Sequence, residues 1–547
     1  MYLFNQITAK QKNLPHSLFY NLNSITNKFT TLTMNQLTLK DIPFGSTDAK
    51  NELLSSTPEE VSRFLSSYVT PPSLTVERFL KRQKYYITGL KGTGKTALLR
   101  YISLKLESEE DSVSSFVLFK SEVDEDLKKD FARAARVQLV EENSESLEGD
   151  DFETVWRWFI YRKIASAISA GIAKPFQENV NLWNFTALVN SEAIPQGKKN
   201  TLIRLVPTIR KGNIEISQSP KLGLDFDWDN NGRAKVNFND LVRRADDAFK
   251  ELDPDIERLN IFFDELELNY ATNKQYQRDS RLVRDLIVSI EKINAIAKKK
   301  SFPLCLYAAV RSEVLTSVVT LGKEINKPIA DFGVPIVWNR PGLSAEQQPL
   351  LSIIERRINN ARLEHKMIEL SSNDIWAQYF PQIIHKKNPQ TYILHNSWYR
   401  PRDIVRLLIT VQDQYPDALA FDVQRLEAVR KTYSTSSWVE LTEELKAKYK
   451  PTEIDGIKYI FYGFKKIASL EELNERVEKV EKNYSEVKSL LERISLKDVL
   501  RDLYRIGVIG NIDKNGDRMR FSFRGDDEIL FEYDIFIHNA LRAHLSI

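Results

Sequence analysis

The sequence predicts an α/β fold, a parallel sheet flanked by helices, and three observations predict it. A β-rich run at 84–88 (KYYIT) ends in a glycine-rich segment, Gly89 to Thr96, and a helical pattern follows at once over 97–107. Four more short apolar runs stand at 115–120, 259–263, 303–310 and 334–338, the signature of strands covered on both faces. Beyond 343 the spacing of apolar residues is helical, which adds an α-helical lid and a further C-terminal domain.

Taken in order, residues 1–40 carry Lys10, Lys12, Lys28 and Lys40 but no acidic residue and no arginine. They are expected to form a poorly ordered N-terminal tail, with Met34 as an alternative start. The core is expected over 41–343. Its first helix begins where Thr57 can cap, Pro58 takes the first helical position and Glu60 closes a capping box. An insert occupies about 124–250, mostly helical, including 153–172. Within it the period changes to two. Leu222, Leu224, Phe226 and Trp228 alternate, 230–232 can turn, and Ala234, Val236 and Phe238 alternate back, predicting a β-hairpin over 222–238. The lid is expected over 344–430. From 431 to 547 helices continue and end in an amphipathic helix at 495–505, the run GVIGNI, a turn DKNGD and RMRFSF, a winged-helix-like order.

Composition narrows the function classes. A length of 547 residues allows two to four domains, and 42% hydrophobic with 10% aromatic content describes a folded chain. The formal charge of +3 announces no nucleic-acid or membrane partner. Cys305 is the single cysteine, so neither an intramolecular disulfide nor a cysteine metal site can form, and a reducing cytoplasmic compartment fits. The six histidines lack metal-ligand spacing. No apolar stretch approaches the ~20 residues that span a bilayer, so a membrane is not expected among the partners.

The segment GLKGTGKT matches G-x-x-x-x-G-K-[ST] in full, the P-loop pattern. Its glycines let backbone N–H groups turn inward around phosphate oxygens, and the following helix aims its positive end at the same anion. The nucleotide-binding set is Gly89, Gly92, Thr93, Gly94, Lys95, Thr96 and Ala97. Lys95 is expected at the β- and γ-phosphates, and Thr96 offers a hydroxyl to Mg²⁺. The ligand expected is ATP with Mg²⁺. Asp264 and Glu265 end the apolar run IFFDELE, where strand C-termini meet ligands in open α/β sheets. Asp264 is expected to hold the metal through its water shell, and Glu265 to act as the general base on the attacking water. Arg311 leaves the next strand; it can report on the γ-phosphate or pair with Glu313. Arg402, in YRPRDIVRLL, sits in the first turn of a helix that can close over the nucleotide, with Arg400 and Arg406 as competitors and a solvated helix start as the plain alternative.

Together these motifs resemble the AAA+/STAND-like branch of bacterial P-loop ATPases, and more narrowly a largely uncharacterised family with an FG-x-x-x-A-x-x-E segment before the loop and a C-terminal winged-helix-like module. Here the segment runs from Phe44 and Gly45 through Ala49 to Glu52. The resemblance implies a P-loop NTPase core, a sensor-like role for Arg311 and for Arg402, and a regulatory switch ATPase, with defence against phage as one setting. Its partners would be ATP and a protein or a second copy of the chain. The alternative is a DNA-dependent motor or loader that grips DNA through the C-terminal module. Against it, Lys497, Arg501, Arg505, Arg518, Arg520 and Arg524 are nearly cancelled by neighbouring acids.

Overall fold

The computed structural model describes residues 36–53, 57–109, 111–123, 152–191, 213–217, 233–266, 273–319, 323–446, 448–513 and 518–547, with a few single positions between them. Packed structure begins inside the expected tail. Leu37 and Leu39 are buried, and Leu39 and Lys40 donate backbone N–H groups to the carbonyls of Ala418 and Pro416.

Helix α1 (Pro58–Ser67) starts where expected, with the Thr57 side chain accepting from the Glu60 N–H. Strand β1 (Tyr86–Gly89), helix α2 (Lys95–Glu109) and strand β2 (Ser112–Leu118) follow. The insert contributes α3 (Glu153–Ser169), β3 (Asn213–Ser217), β4 (Arg233–Asn237) and α4 (Phe238–Lys250). Strand β5 (Arg258–Leu266), helix α5 (Asn273–Lys300), strand β6 (Leu304–Arg311) and strand β7 (Gly333–Pro335) complete the α/β part.

The sheet has five strands in the order β2-β5-β6-β1-β7, and every neighbouring pair is parallel. The five apolar runs are therefore its strands. Strand β6 is buried along seven of its eight residues, as a central parallel strand must be. Helix α3 brings the insert onto α5: the Trp156 indole donates to the Leu282 carbonyl at 2.8 Å, and the Phe152 N–H donates to buried Asp285.

The hairpin expected at 222–238 lies partly outside the described residues. Its return strand exists as β4, but β4 pairs antiparallel with β3, Asn213–Ser217, and residues 222–228 lie outside the described residues. Ile214 and Ile216 of β3 are buried. Two period-two runs precede one return strand, and periodicity alone does not choose between them.

The C-terminal region is mainly helical. It contains α6 (Ser352–Glu364), α7 (Pro401–Gln414), α8 (Arg430–Leu445), α9 (Pro451–Phe461), α10 (Leu470–Glu481), α11 (Ser485–Arg493) and α12 (Leu496–Ile506). Strands β8 (Ile467–Ala468), β9 (Ile509–Ile512), β10 (Met519–Arg520) and β11 (Asp534–Ile537) form an antiparallel sheet ordered β10-β9-β11-β8. Helix α12 and the pair β9–β10 have the helix-then-hairpin order read from the sequence, while β8 and β11 are additions.

This end module seats on the start of α7. The Trp398 indole donates to the Gly507 carbonyl at 2.7 Å and stacks on His538 with centroids 4.0 Å apart. The Arg524 guanidinium lies 4.8 Å from the Tyr399 ring centroid and donates to its hydroxyl. Among the described residues no helix is long and apolar enough to cross a membrane.

Candidate functional site

A cavity of about 170 Å³ opens at the C-terminal ends of β1, β5 and β6 and is closed on its far side by α1, α6 and α7. Its walls hold Gly92, Gly94, Lys95, Thr96, Ala97, Asp264, Glu265, Arg311 and Arg402. Residues more than three hundred positions apart in sequence thus share one cleft.

The glycine loop has the backbone its sequence demands. Gly92 and Gly94 have φ of +81° and +95°, left-handed values that a side chain disfavours. A Cβ on Gly92 would lie 3.4 Å from the Arg402 Cβ, an ordinary contact distance, so α7 packs directly on the loop and it is the positive φ that calls for glycine. The Thr93 carbonyl accepts from the Trp338 indole at 2.9 Å, and the Thr93 hydroxyl donates to the Leu90 carbonyl at 2.8 Å. Gly89 ends β1 beside Arg311 of β6.

Lys95 begins α2 and is only 9% exposed. Its ammonium donates to the Gly89 and Leu90 carbonyls of its own loop, each at 2.8 Å. Burial pushes its pKa down to about 7; Glu313 and Asp264 work against that shift and Arg311 and Arg402 with it. The result is a desolvated cation at the mouth of an anion-shaped loop.

Asp264 is 3% exposed, and burial raises its pKa, opposed by the nearby Thr96 hydroxyl, the Glu265 N–H and Lys95. One carboxylate oxygen, Oδ1, accepts the Glu265 N–H at 2.8 Å. The other, Oδ2, is buried without a protein partner. Together with the Thr96 hydroxyl it is a hard oxygen donor facing the loop, the chemistry that suits Mg²⁺. Among the described residues no group of three or more His, Cys, Asp or Glu side chains could hold a metal ion.

Simple strand alternation would point Asp264 and Glu265 to opposite faces. The β5–β6 pairing shifts register between Phe263 and Leu266, and Glu265 has φ +57°. This bulge brings both carboxylates to the cleft. The Glu265 carboxylate accepts from the Lys50 ammonium at 2.7 Å. Lys50 lies in the short helix Ala49–Leu53, inside the FG-x-x-x-A-x-x-E segment. Sequence reading missed this residue, since a lysine in a polar stretch carries no periodic or motif signal. Glu52 of the same segment pairs with Arg357 of α6 at 2.7 Å.

The arginines divide. Arg311 pairs with Glu313 at 3.7 Å and also lines the cleft, so its two expected contacts are compatible. Arg402 donates its Nε to the Thr47 carbonyl at 2.8 Å, its N–H to the Gly92 carbonyl at 3.4 Å and its NH1 to Glu440 of α8 at 2.5 Å. Arg406 is bound by Asp403 and Glu440. Arg400 is 5% exposed, its Nε lacks a partner, and its Cδ lies 3.6 Å from where a Gly92 Cβ would be. Beside the polar end, Phe64, Tyr68, Val69, Ile353 and Val405 give the cleft an apolar flank.

Of the end module's Lys497, Arg501, Arg505, Arg518, Arg520 and Arg524, four are matched by local acids. Arg501 pairs with Asp498, Arg505 with Asp502, and Arg518 and Arg520 with Asp526.

A family model described as the FunZ-associated C-terminal helical domain matches residues 348–442. The chain is similar to that domain over under a fifth of its length. The matched segment runs from the start of the lid region through α8 as far as Thr442, and so includes Arg400, Arg402, Arg406 and Glu440. No curated protein matches the chain.

Proposed function

We propose that the protein is a P-loop ATPase of the AAA+/STAND-like branch, working as a switch in which Mg²⁺-ATP binding and hydrolysis change how the lid and the end module are held. The observation that carries this reading is the convergence of three groups on one left-handed glycine loop. They are the buried Lys95 ammonium, the Thr96 hydroxyl and the unpartnered Asp264 Oδ2.

In this reading the loop N–H groups and the α2 N-terminus bind the phosphates, and Lys95 exchanges its two carbonyl contacts for phosphate oxygens. The apolar flank from Phe64 to Val405 receives the nucleoside base. Thr96 and Asp264 would hold Mg²⁺, which when bound neutralises charge on the phosphate oxygens. Glu265 takes a proton from the attacking water, and Arg311 and Arg402 stabilise negative charge on the transferred phosphoryl.

The switch part of the reading rests on connectivity. Trp398 and Tyr399, gripped by the end module, directly precede Arg400, Pro401 and Arg402, which pack on the loop at Gly92. A shift of the arginines on nucleotide binding is therefore transmitted through two residues. The local acid partners of Arg501, Arg505, Arg518 and Arg520, and the packing of Arg524 on Tyr399, favour a protein-packing role for the end module over the DNA-motor reading. The setting in defence against phage rests on the family resemblance.

Single-turnover hydrolysis tests the chemical half. Glu265→Gln should retain ATP binding and lose hydrolysis by at least about a hundredfold, the low end for removing a general base. Unchanged turnover in that variant would remove Glu265 from the mechanism.

A further inference from the structure

Among the described residues, Lys50 engages the carboxylate assigned to water activation. The geometry is that of a charge-assisted hydrogen bond at 2.7 Å, with Glu265 mostly buried and Lys50 about one-third exposed. Asp48 also reaches Lys50 at 3.6 Å. A carboxylate oxygen that already accepts a hydrogen bond from an ammonium at 2.7 Å has less capacity left to accept one from an attacking water.

The segment bearing Lys50 is not independent of the rest of the site. Thr47 accepts from Arg402, Glu52 is tied to Arg357, and Thr47, Asp48 and Ala49 line the cleft itself. Whatever fills the cleft therefore meets the segment that holds Lys50 against Glu265. The left-handed backbone at Glu265 and the adjacent register shift place its side chain at the cleft, where Lys50 meets it.

We infer that Lys50 is a positioning residue that restrains Glu265 in the nucleotide-free site, so that hydrolysis requires the Lys50–Glu265 pair to part as segment 46–52 moves against the bound nucleotide. The inference rests on the reading of Glu265 as the general base. Lys50 acts through Glu265 and need not touch the phosphates, so its removal changes kcat and leaves KM for ATP alone. An arginine there keeps the restraint, because a guanidinium also donates to a carboxylate.

The test is steady-state ATP hydrolysis by the full chain with Mg²⁺, comparing wild type, Lys50→Met, Lys50→Gln, Lys50→Arg, Glu265→Gln and the Lys50→Met/Glu265→Gln pair. The expected result is a rise in kcat of about twofold to fivefold for Met and Gln at unchanged KM, on the scale of one part-exposed ion pair. Lys50→Arg should stay near the wild-type rate, and Lys50→Met should add nothing in the Glu265→Gln background. Equal melting temperatures establish that the variants are folded. A fall in kcat, or a raised KM at constant kcat, in both Lys50→Met and Lys50→Gln would overturn the restraint. Hydrolysis in wild type that survives Glu265→Gln would instead overturn the base assignment on which it rests.

Discussion

At the scale of single residues, Lys95 is where charge, burial and position meet. An exposed lysine titrates near 10.5, and burial in the loop brings Lys95 to about 7. Between these values the unfolded chain holds a proton that the folded chain has released, so this group makes stability rise as the pH climbs from about 7 toward 10.5. A polyphosphate against Nζ favours the ammonium. Binding of Mg²⁺-ATP above pH 7 should therefore take up a proton, and affinity should fall as the pH rises through 7 to 9. Titration calorimetry at pH 8 in two buffers of different ionisation heat should give an uptake approaching about one proton per ATP. No buffer dependence would mean that Lys95 does not meet the phosphates. Lys95, Thr96 and Asp264 could be named from sequence because motif spacing fixes their place relative to strand ends. Lys50 and Glu440 could not. Each makes its contact across more than two hundred or about forty residues, through segments whose local pattern is only polar.

At the scale of elements, the junction before α7 stands out. Trp398 and Tyr399 are consecutive left-handed residues with φ of +48° and +52°, each disfavoured by about 1–3 kcal/mol in isolation. Their rings are fixed by Gly507, His538 and Arg524. Gly507 has φ +85°, and a Cβ there would stand 2.9 Å from the Trp398 ring. Gly507→Ala should destabilise the chain by more than about 1 kcal/mol, measured by urea unfolding, and should weaken the grip on Trp398. Stability equal to wild type would mean that this packing yields freely. The parallel strands were readable because buried strands are continuous apolar runs. Strands β8, β10 and β11 have two, two and four residues, and β8 and β11 join their sheet through a long-range pairing that local sequence does not announce. The β3–β4 pairing was not readable for the same reason: alternation identifies strands and not their partners.

At the scale of the whole molecule, the glycine loop, the lid helices and the end module form a continuous series of contacts from Gly92 through Arg400 and Arg402 to Trp398 and His538. Two ends joined in this way should respond together. Hydrogen exchange with and without Mg²⁺-ATP should change at residues 89–97 and also at 398–402 and 507–512. Protection confined to the loop would reduce the protein to a nucleotide binder without a coupled switch. The similarity to the FunZ-associated C-terminal helical domain spans the lid half of this series, which makes the coupling a property to test in that domain's setting. A switch of this kind requires ATP to occupy the loop from Gly89 to Thr96. Equilibrium binding of Mg²⁺-ATP to wild type and to Lys95→Ala tests that most directly. The predicted result is saturable binding by wild type, weakened in the variant by about 2 kcal/mol, or roughly thirtyfold; equal affinity in the two proteins would contradict it.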